Sequence, residues 1–147
     1  MLNPQVLIRR AALNLLARRE YSVQEMTDKL SRKNFALYDI QAVLTSLIQE
    51  NLLSNSRFLQ NYIAYRQRRG IGPLRIKKEL QERGLDKSFI EECLKEEAEE
   101  WFATIQAVWR KRFKNILPED YKSKAQQMRF LQYRGFTAAQ IESIFSS

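Results

Sequence analysis

Apolar residues recur at spacings of three and four along nearly the whole chain, and the period-two alternation of β-branched residues is missing, so the pattern predicts helices throughout. The first helix opens with Asn3 as cap and Pro4 in its first turn, then carries apolar positions to Leu15 and Leu16. Ser22-Val23-Gln24-Glu25 has the form of a capping box and opens a second helix, on which Val23, Met26 and Leu30 share one face. A third helix carries Ile40, Val43, Leu44, Leu47 and Ile48 on a single stripe.

The pattern then returns. Leu30, Lys33 and Phe35 reappear 50 residues later as Leu80, Arg83 and Leu85, and 51 residues after that as Leu131, Arg134 and Phe136. The helices that follow agree at the same shifts: Ile40, Val43 and Leu44, then Ile90, Cys93 and Leu94, then Ile141, Ile144 and Phe145. Asn34, Gly84 and Gly135 occupy one equivalent turn, and these residue types tolerate the left-handed backbone that ends a helix. The expected fold is all-α: three tandem three-helix repeats over residues 1–53, 54–97 and 98–147, stacked into an elongated, curved helical array. Boundaries fall near Leu53-Ser54-Asn55 and in the stretch from Glu96 to Glu100, and the third copy carries extra residues around Asn115-Ile116-Leu117-Pro118. Helices of about ten residues are marginal alone, so packing between them must hold the copies together.

Composition narrows the chemistry. With 44% apolar and 11% aromatic residues in 147, the chain has the material for a core. It has no histidine, which removes imidazole bases and Ser-His-Asp triads, and its one cysteine, Cys93, can form neither an intrachain disulfide nor a metal knuckle. Gly70-Ile71-Gly72-Pro73 lacks the Gly-Lys-Ser/Thr of a nucleotide loop, and Pro73 removes a backbone donor. Carboxylate pairs such as Glu119 with Asp120, or Glu96 with Glu99, suit helix N-termini and surfaces better than catalysis. No enzymatic activity, metal or cofactor is expected. No apolar run exceeds four residues, and the opening Met1-Leu2-Asn3-Pro4 lacks the form of a secretory signal, so a cytoplasmic monomer off the membrane is expected.

The charge is more informative, at a net +8. From Arg57 to Lys78 there are seven basic residues and no acid, namely Arg57, Arg66, Arg68, Arg69, Arg75, Lys77 and Lys78. Arg110, Lys111, Arg112 and Lys114 then crowd into five positions. A purely solvated helix face would normally interleave acids for i,i+4 pairing. The two clusters therefore read as a surface for nucleic-acid phosphates or for an acidic protein groove, and charge alone does not separate these. Phe58, Tyr62, Tyr65, Trp109 and Phe113 accompany the cations at helical spacing and read mainly as core. The last helix of each copy opens Asp39-Ile40-Gln41, Phe89-Ile90-Glu91-Glu92 or Gln140-Ile141-Glu142, which suits no recognition helix in a DNA groove.

The stretch from Tyr65 to Leu85, with Arg69-Gly70-Ile71-Gly72-Pro73, Arg75-Ile76, Glu79-Leu80 and Arg83-Gly84, resembles the central signature of the RecX regulatory proteins. Ala12 to Ser22 in the first copy, and Lys124-Ala125 with Phe130-Leu131-Gln132-Tyr133-Arg134-Gly135-Phe136 in the third, are similar to the flanking copies. Asn55-Ser56 before Arg57 departs from the family, which usually carries an Asp near this point; the departure concerns a helix cap. The resemblance implies a negative regulator of the RecA recombinase that lies in the groove of the RecA–single-stranded DNA filament. It implies suppression of filament extension, ATP hydrolysis, strand exchange and cleavage of the SOS repressor. On that reading Arg66, Arg68, Arg69, Arg75, Lys77, Lys78, Arg110, Lys111, Arg112 and Lys114 would meet the filament. The alternative is a general single-stranded nucleic-acid-binding module without RecA specificity.

Overall fold

The computed structural model describes residues 3–95 and 98–146. Among them lie nine helices and no strand: α1 (Pro4–Leu16), α2 (Val23–Ser31), α3 (Leu37–Gln49), α4 (Asn55–Arg68), α5 (Pro73–Glu82), α6 (Lys87–Lys95), α7 (Ala98–Phe113), α8 (Tyr121–Tyr133) and α9 (Ala138–Phe145). They group in threes, as the repeat requires. Glu97, at the expected end of the second repeat, and Glu96, with its pairing to Glu99, lie outside the described residues.

Local chemistry sets the helix starts. Asn3 accepts from the Gln5 N–H at 2.8 Å, with Pro4 in the first turn. Ser22 and Glu25 exchange both bonds of a capping box, and Thr137 with Gln140 repeats that device before α9. The Ser54 hydroxyl accepts from the Arg57 N–H at 3.2 Å and so serves α4, while the Asn55 side chain accepts from the Val23 N–H. Ser54 thus supplies the cap for which the resemblance implies an Asp. Asp120, one of the paired carboxylates, accepts from the Ser123 N–H at 2.8 Å; that backbone bond holds its pKa below the ordinary value. The stop is repeated too: Asn34, Gly84 and Gly135 have φ of 66°, 86° and 98°.

The chain packs as two compact units. The first is Met1–Asn61 with Arg83–Leu85, and the second is Tyr62–Glu82 with Asp86–Ser147. In the first unit α1, α2 and α3 pack on one another around Ile8, Ala12, Met26, Leu30, Ile40 and Leu47, none of which is exposed. Ile48, expected on the α3 stripe, is 46% exposed, because one residue past Leu47 is 100° further round the helix. In the second unit α7, α8 and α9 pack together and α5 packs on α6. Trp101, Ile105 and Trp109 form the buried face of α7 at steps of four. Ile76 and Leu80 are fully buried on α5, whereas Leu74 is 54% exposed, because it lies 200° from Ile76.

The Gly70–Pro73 turn is a joint within the second unit. The Gly72 N–H donates to the Arg134 carbonyl at 2.7 Å, and the Leu74 N–H donates to the Gly135 carbonyl at 2.9 Å. A Cβ on Gly72 would stand 2.5 Å from the Gly135 carbonyl, so only glycine lets the two backbones approach this closely. Gly135, at its positive φ, lies directly against Arg75. The extra loop of the third repeat is anchored by buried Gln127, which accepts from the Trp109 indole at 2.9 Å and donates to the Ile116 carbonyl at 3.1 Å.

A basic groove as candidate interaction site

The ten cations singled out in the sequence all belong to the second unit. Three of them are engaged within the protein. The Arg66 guanidinium forks onto Glu79, with Nε to Oε1 at 3.0 Å and Nη2 to Oε2 at 2.7 Å. Arg75 approaches the same carboxylate at 3.6 Å, one helical turn away, and the Tyr62 hydroxyl donates to it at 3.0 Å. Burial alone would push the Glu79 carboxyl up; the hydrogen bonds from Arg66 and Tyr62 and the nearby guanidinium charges outweigh it and hold the group below its ordinary value. The Arg66 pKa is raised in turn by its bond to Glu79. Lys77 meets Glu91 on α6 at 2.6 Å. The acids missing from the basic run therefore come from beyond it in sequence.

Four others converge. The C-terminal end of α4, one face of α7 and the end of α8 enclose a groove of about 810 Å³. Arg68 and Arg69 enter from the α4 side, and Lys111 and Arg112 from α7. A fifth cation joins them: Arg134, just past α8. In the sequence Arg134 stands apart from both basic clusters and marks the repeat; its equivalence to Lys33 and Arg83 is the signal that points to it. Ala64, Ala107, Val108 and Phe130 supply apolar lining, and among the described residues Glu100 is the only lining acid. Among the described residues none of the five cations makes an ion pair. Arg112 and Arg134 lie over the Phe130 ring at 5.3 and 5.0 Å, and Arg69 lies 5.1 Å from the Tyr65 ring. Gln67 fixes the α4 wall to α7 by donating to the Thr104 hydroxyl at 3.0 Å.

The remaining three stand apart. Lys78 is exposed on α5, and Arg110 and Lys114 are exposed at the end of α7; none of them lines the groove. Lys114 has a positive φ of 53° where α7 ends. Of the accompanying aromatics, Phe58 and Trp109 are buried as expected for core, whereas Tyr65 is 47% exposed beneath Arg69. The five groove cations repel one another across a pocket with one acid. The C-terminal end of α7 offsets part of that cost through its helix dipole, and an anionic partner would relieve the rest. The groove sets five cations around an apolar floor.

Family models match almost all of this chain. The first, second and third three-helix domains of RecX match residues 9–47, 54–94 and 98–145. The chain belongs to the RecX family. Two proteins named Regulatory protein RecX, from Pseudomonas entomophila (strain L48) and Pseudomonas syringae pv. tomato, are each 42% identical over 146 residues, covering 99% of this chain and 94% of theirs. The crystal structure of RecX from Lactobacillus salivarius shares the fold, with a TM-score of 0.81 and 22% identity over 97% of this chain and 94% of that one. The groove therefore sits where the second RecX domain meets the third: α4 supplies one wall, α7 and α8 the other.

Proposed function

We propose that this chain is a non-enzymatic negative regulator of the RecA recombinase. It acts by seating the basic groove of its second unit on the RecA–single-stranded DNA filament. Occupancy limits filament extension, and with it ATP hydrolysis, strand exchange and SOS coprotease activity. Membership of the RecX family supports the partner, and one observation carries the site: five cations without ion pairs among the described residues around an apolar floor. Arg68, Arg69, Lys111 and Arg112 make the principal contacts, joined by Arg134. Arg110, Lys114 and Lys78 extend the positive field around the groove mouth. Arg66, Arg75 and Lys77 support the surface through Glu79 and Glu91. The protein works as a cytoplasmic monomer.

A second reading is favoured by Phe130, a half-buried ring on the groove floor that the Arg112 and Arg134 guanidinium groups approach; a ring beside cations is the kind of platform on which unpaired bases stack. On that reading the chain binds single-stranded nucleic acid with no need of RecA. Fluorescence anisotropy on labelled oligo-dT, bare and then coated with RecA, separates the two. Filament regulation predicts tight binding to the coated strand and weak binding to the bare one. Tight binding to bare strands, with a log K against log salt slope of about −0.7 per phosphate contacted, would replace it with the general module.

A further inference from the structure

The first unit carries a face for which the RecA reading has no use. Leu7, Arg10, Ala11, Asn14 and Leu15 of α1, with Arg18 and Lys33 beyond the ends of α1 and α2, line a groove of about 370 Å³. This is the same place in the repeat as the groove described above. A shift of 97 residues carries the buried Ile8 and Ala12 of α1 onto the buried Ile105 and Trp109 of α7. The same shift carries Leu7, Ala11 and Leu15 onto Thr104, Val108 and Arg112, which line the other groove. Lys33 corresponds to Arg134, which lines it too.

The two grooves differ in what covers them. On α7 a helix end is seated: Ala64, Arg68 and Gly70 form the opposite wall, and Gln67 hydrogen-bonds Thr104. On α1 the lining comes from α1 itself, Arg18 and Lys33. A face that takes a helix in one repeat is open in another.

We infer that the α1 face docks an acidic amphipathic helix of a partner protein, whose apolar stripe lies on Leu7, Ala11 and Leu15 while its carboxylates meet Arg10, Arg18 and Lys33. The chemistry of the occupant follows from the lining. Arg10, Arg18 and Lys33 are exposed, and among the described residues no acid lines the groove and none of the three makes an ion pair. Carboxylates three and four residues apart on a helix can reach such cations while the apolar side chains between them fill the floor. A second copy of this chain is disfavoured, because the end of α7 that corresponds to the seated end of α4 carries Arg110 and Lys114. A nucleic acid is disfavoured because the groove offers alkyl floor and no ring for a base to stack on. The inference is independent of the RecA reading.

The test uses the intact chain and a fluorescein-labelled helical peptide with leucines at spacings of three and four flanked by glutamates. The same peptide with glutamines and an oligo-dT strand serve as comparisons. Arg10→Glu with Arg18→Glu reverses charge at exposed positions, and Asn14→Trp fills the groove with the charges intact. Far-UV circular dichroism melts establish that both variants are folded. The expected result is binding of the glutamate peptide that weakens at least tenfold with the glutamine peptide and with either variant. Failure of the glutamate peptide to bind, or equal binding to wild type and both variants, would overturn the inference. So would oligo-dT binding that is lost in the charge-reversed protein while the peptide is unaffected, which would make the face a phosphate site.

Discussion

Arg66 and Arg68 stand two residues apart on α4 and come from the same basic run, yet they have opposite fates. Two residues is 200° of helix, so the first points to α5 and the second into the groove. Around Glu79 the cations are neutralised: one carboxylate collects Arg66, Arg75 and the Tyr62 hydroxyl, and the Arg66 and Glu79 side chains are only 21% and 22% exposed. In the groove, among the described residues, five cations share one lining acid. The first arrangement holds α4 against α5, and the second leaves its charge available to a partner. A basic run in a sequence therefore mixes cations paired within the fold and cations left without ion pairs among the described residues, and helical phase sorts them.

Substitutions on either side should separate stability from binding. The largest effect is expected at the joint beneath both regions: Gly135→Ala places a Cβ into Arg75 at a left-handed φ of 98°, costing about 3 kcal/mol or more by thermal denaturation. Next comes the triple change Arg68→Glu, Lys111→Glu and Arg112→Glu. It should weaken binding to the RecA filament by roughly a hundredfold, about 2.8 kcal/mol, while the melting temperature stays within a few degrees of wild type. Glu79→Gln should do the reverse. It removes a charged acceptor from Arg66 and Tyr62 and an ion-pair partner from Arg75, lowers stability by about 1–3 kcal/mol, and leaves filament affinity within a few fold when measured below the melting transition.

Acid titration probes the Glu79 cluster more gently. The folded pKa of Glu79 lies below its ordinary 4.5, so its contribution is complete above that value and is lost as pH falls through the folded pKa. The stability gap between wild type and Glu79→Gln should therefore narrow as the pH drops below about 4.5, read by chemical denaturation across the range. The smallest effect is expected for Lys77→Gln. Its pair with the half-exposed Glu91 should register only at the edge of detection in a thermal melt, and filament binding should be unchanged.

Much of the fold was legible because it is local. The capping box at Ser22, the Asn3-Pro4 start and the shared stop at Asn34, Gly84 and Gly135 depend on neighbours a few residues away. Apolar period places most of the core and fails where phase runs out, as at Ile48. The site was half legible. Clustering identified Arg68, Arg69, Lys111 and Arg112, but nothing in the run showed that Glu79 would claim Arg66 or Glu91 would claim Lys77. Those pairings depend on how α5 lies against α4 and α6. Arg134 is hidden because it stands far in sequence from both clusters and lines the groove from the end of α8, where its carbonyl accepts from the Gly72 N–H.

The most direct test is single-stranded-DNA-dependent ATP hydrolysis by RecA, titrated with the wild-type chain, the triple groove variant and Glu79→Gln. Wild type and Glu79→Gln are predicted to inhibit hydrolysis well below one copy per RecA protomer, and the folded groove variant to need about a hundredfold more. Equal inhibition by the groove variant would contradict the assignment of this surface. No inhibition by the wild-type chain, although it binds single strands, would contradict the account of its function.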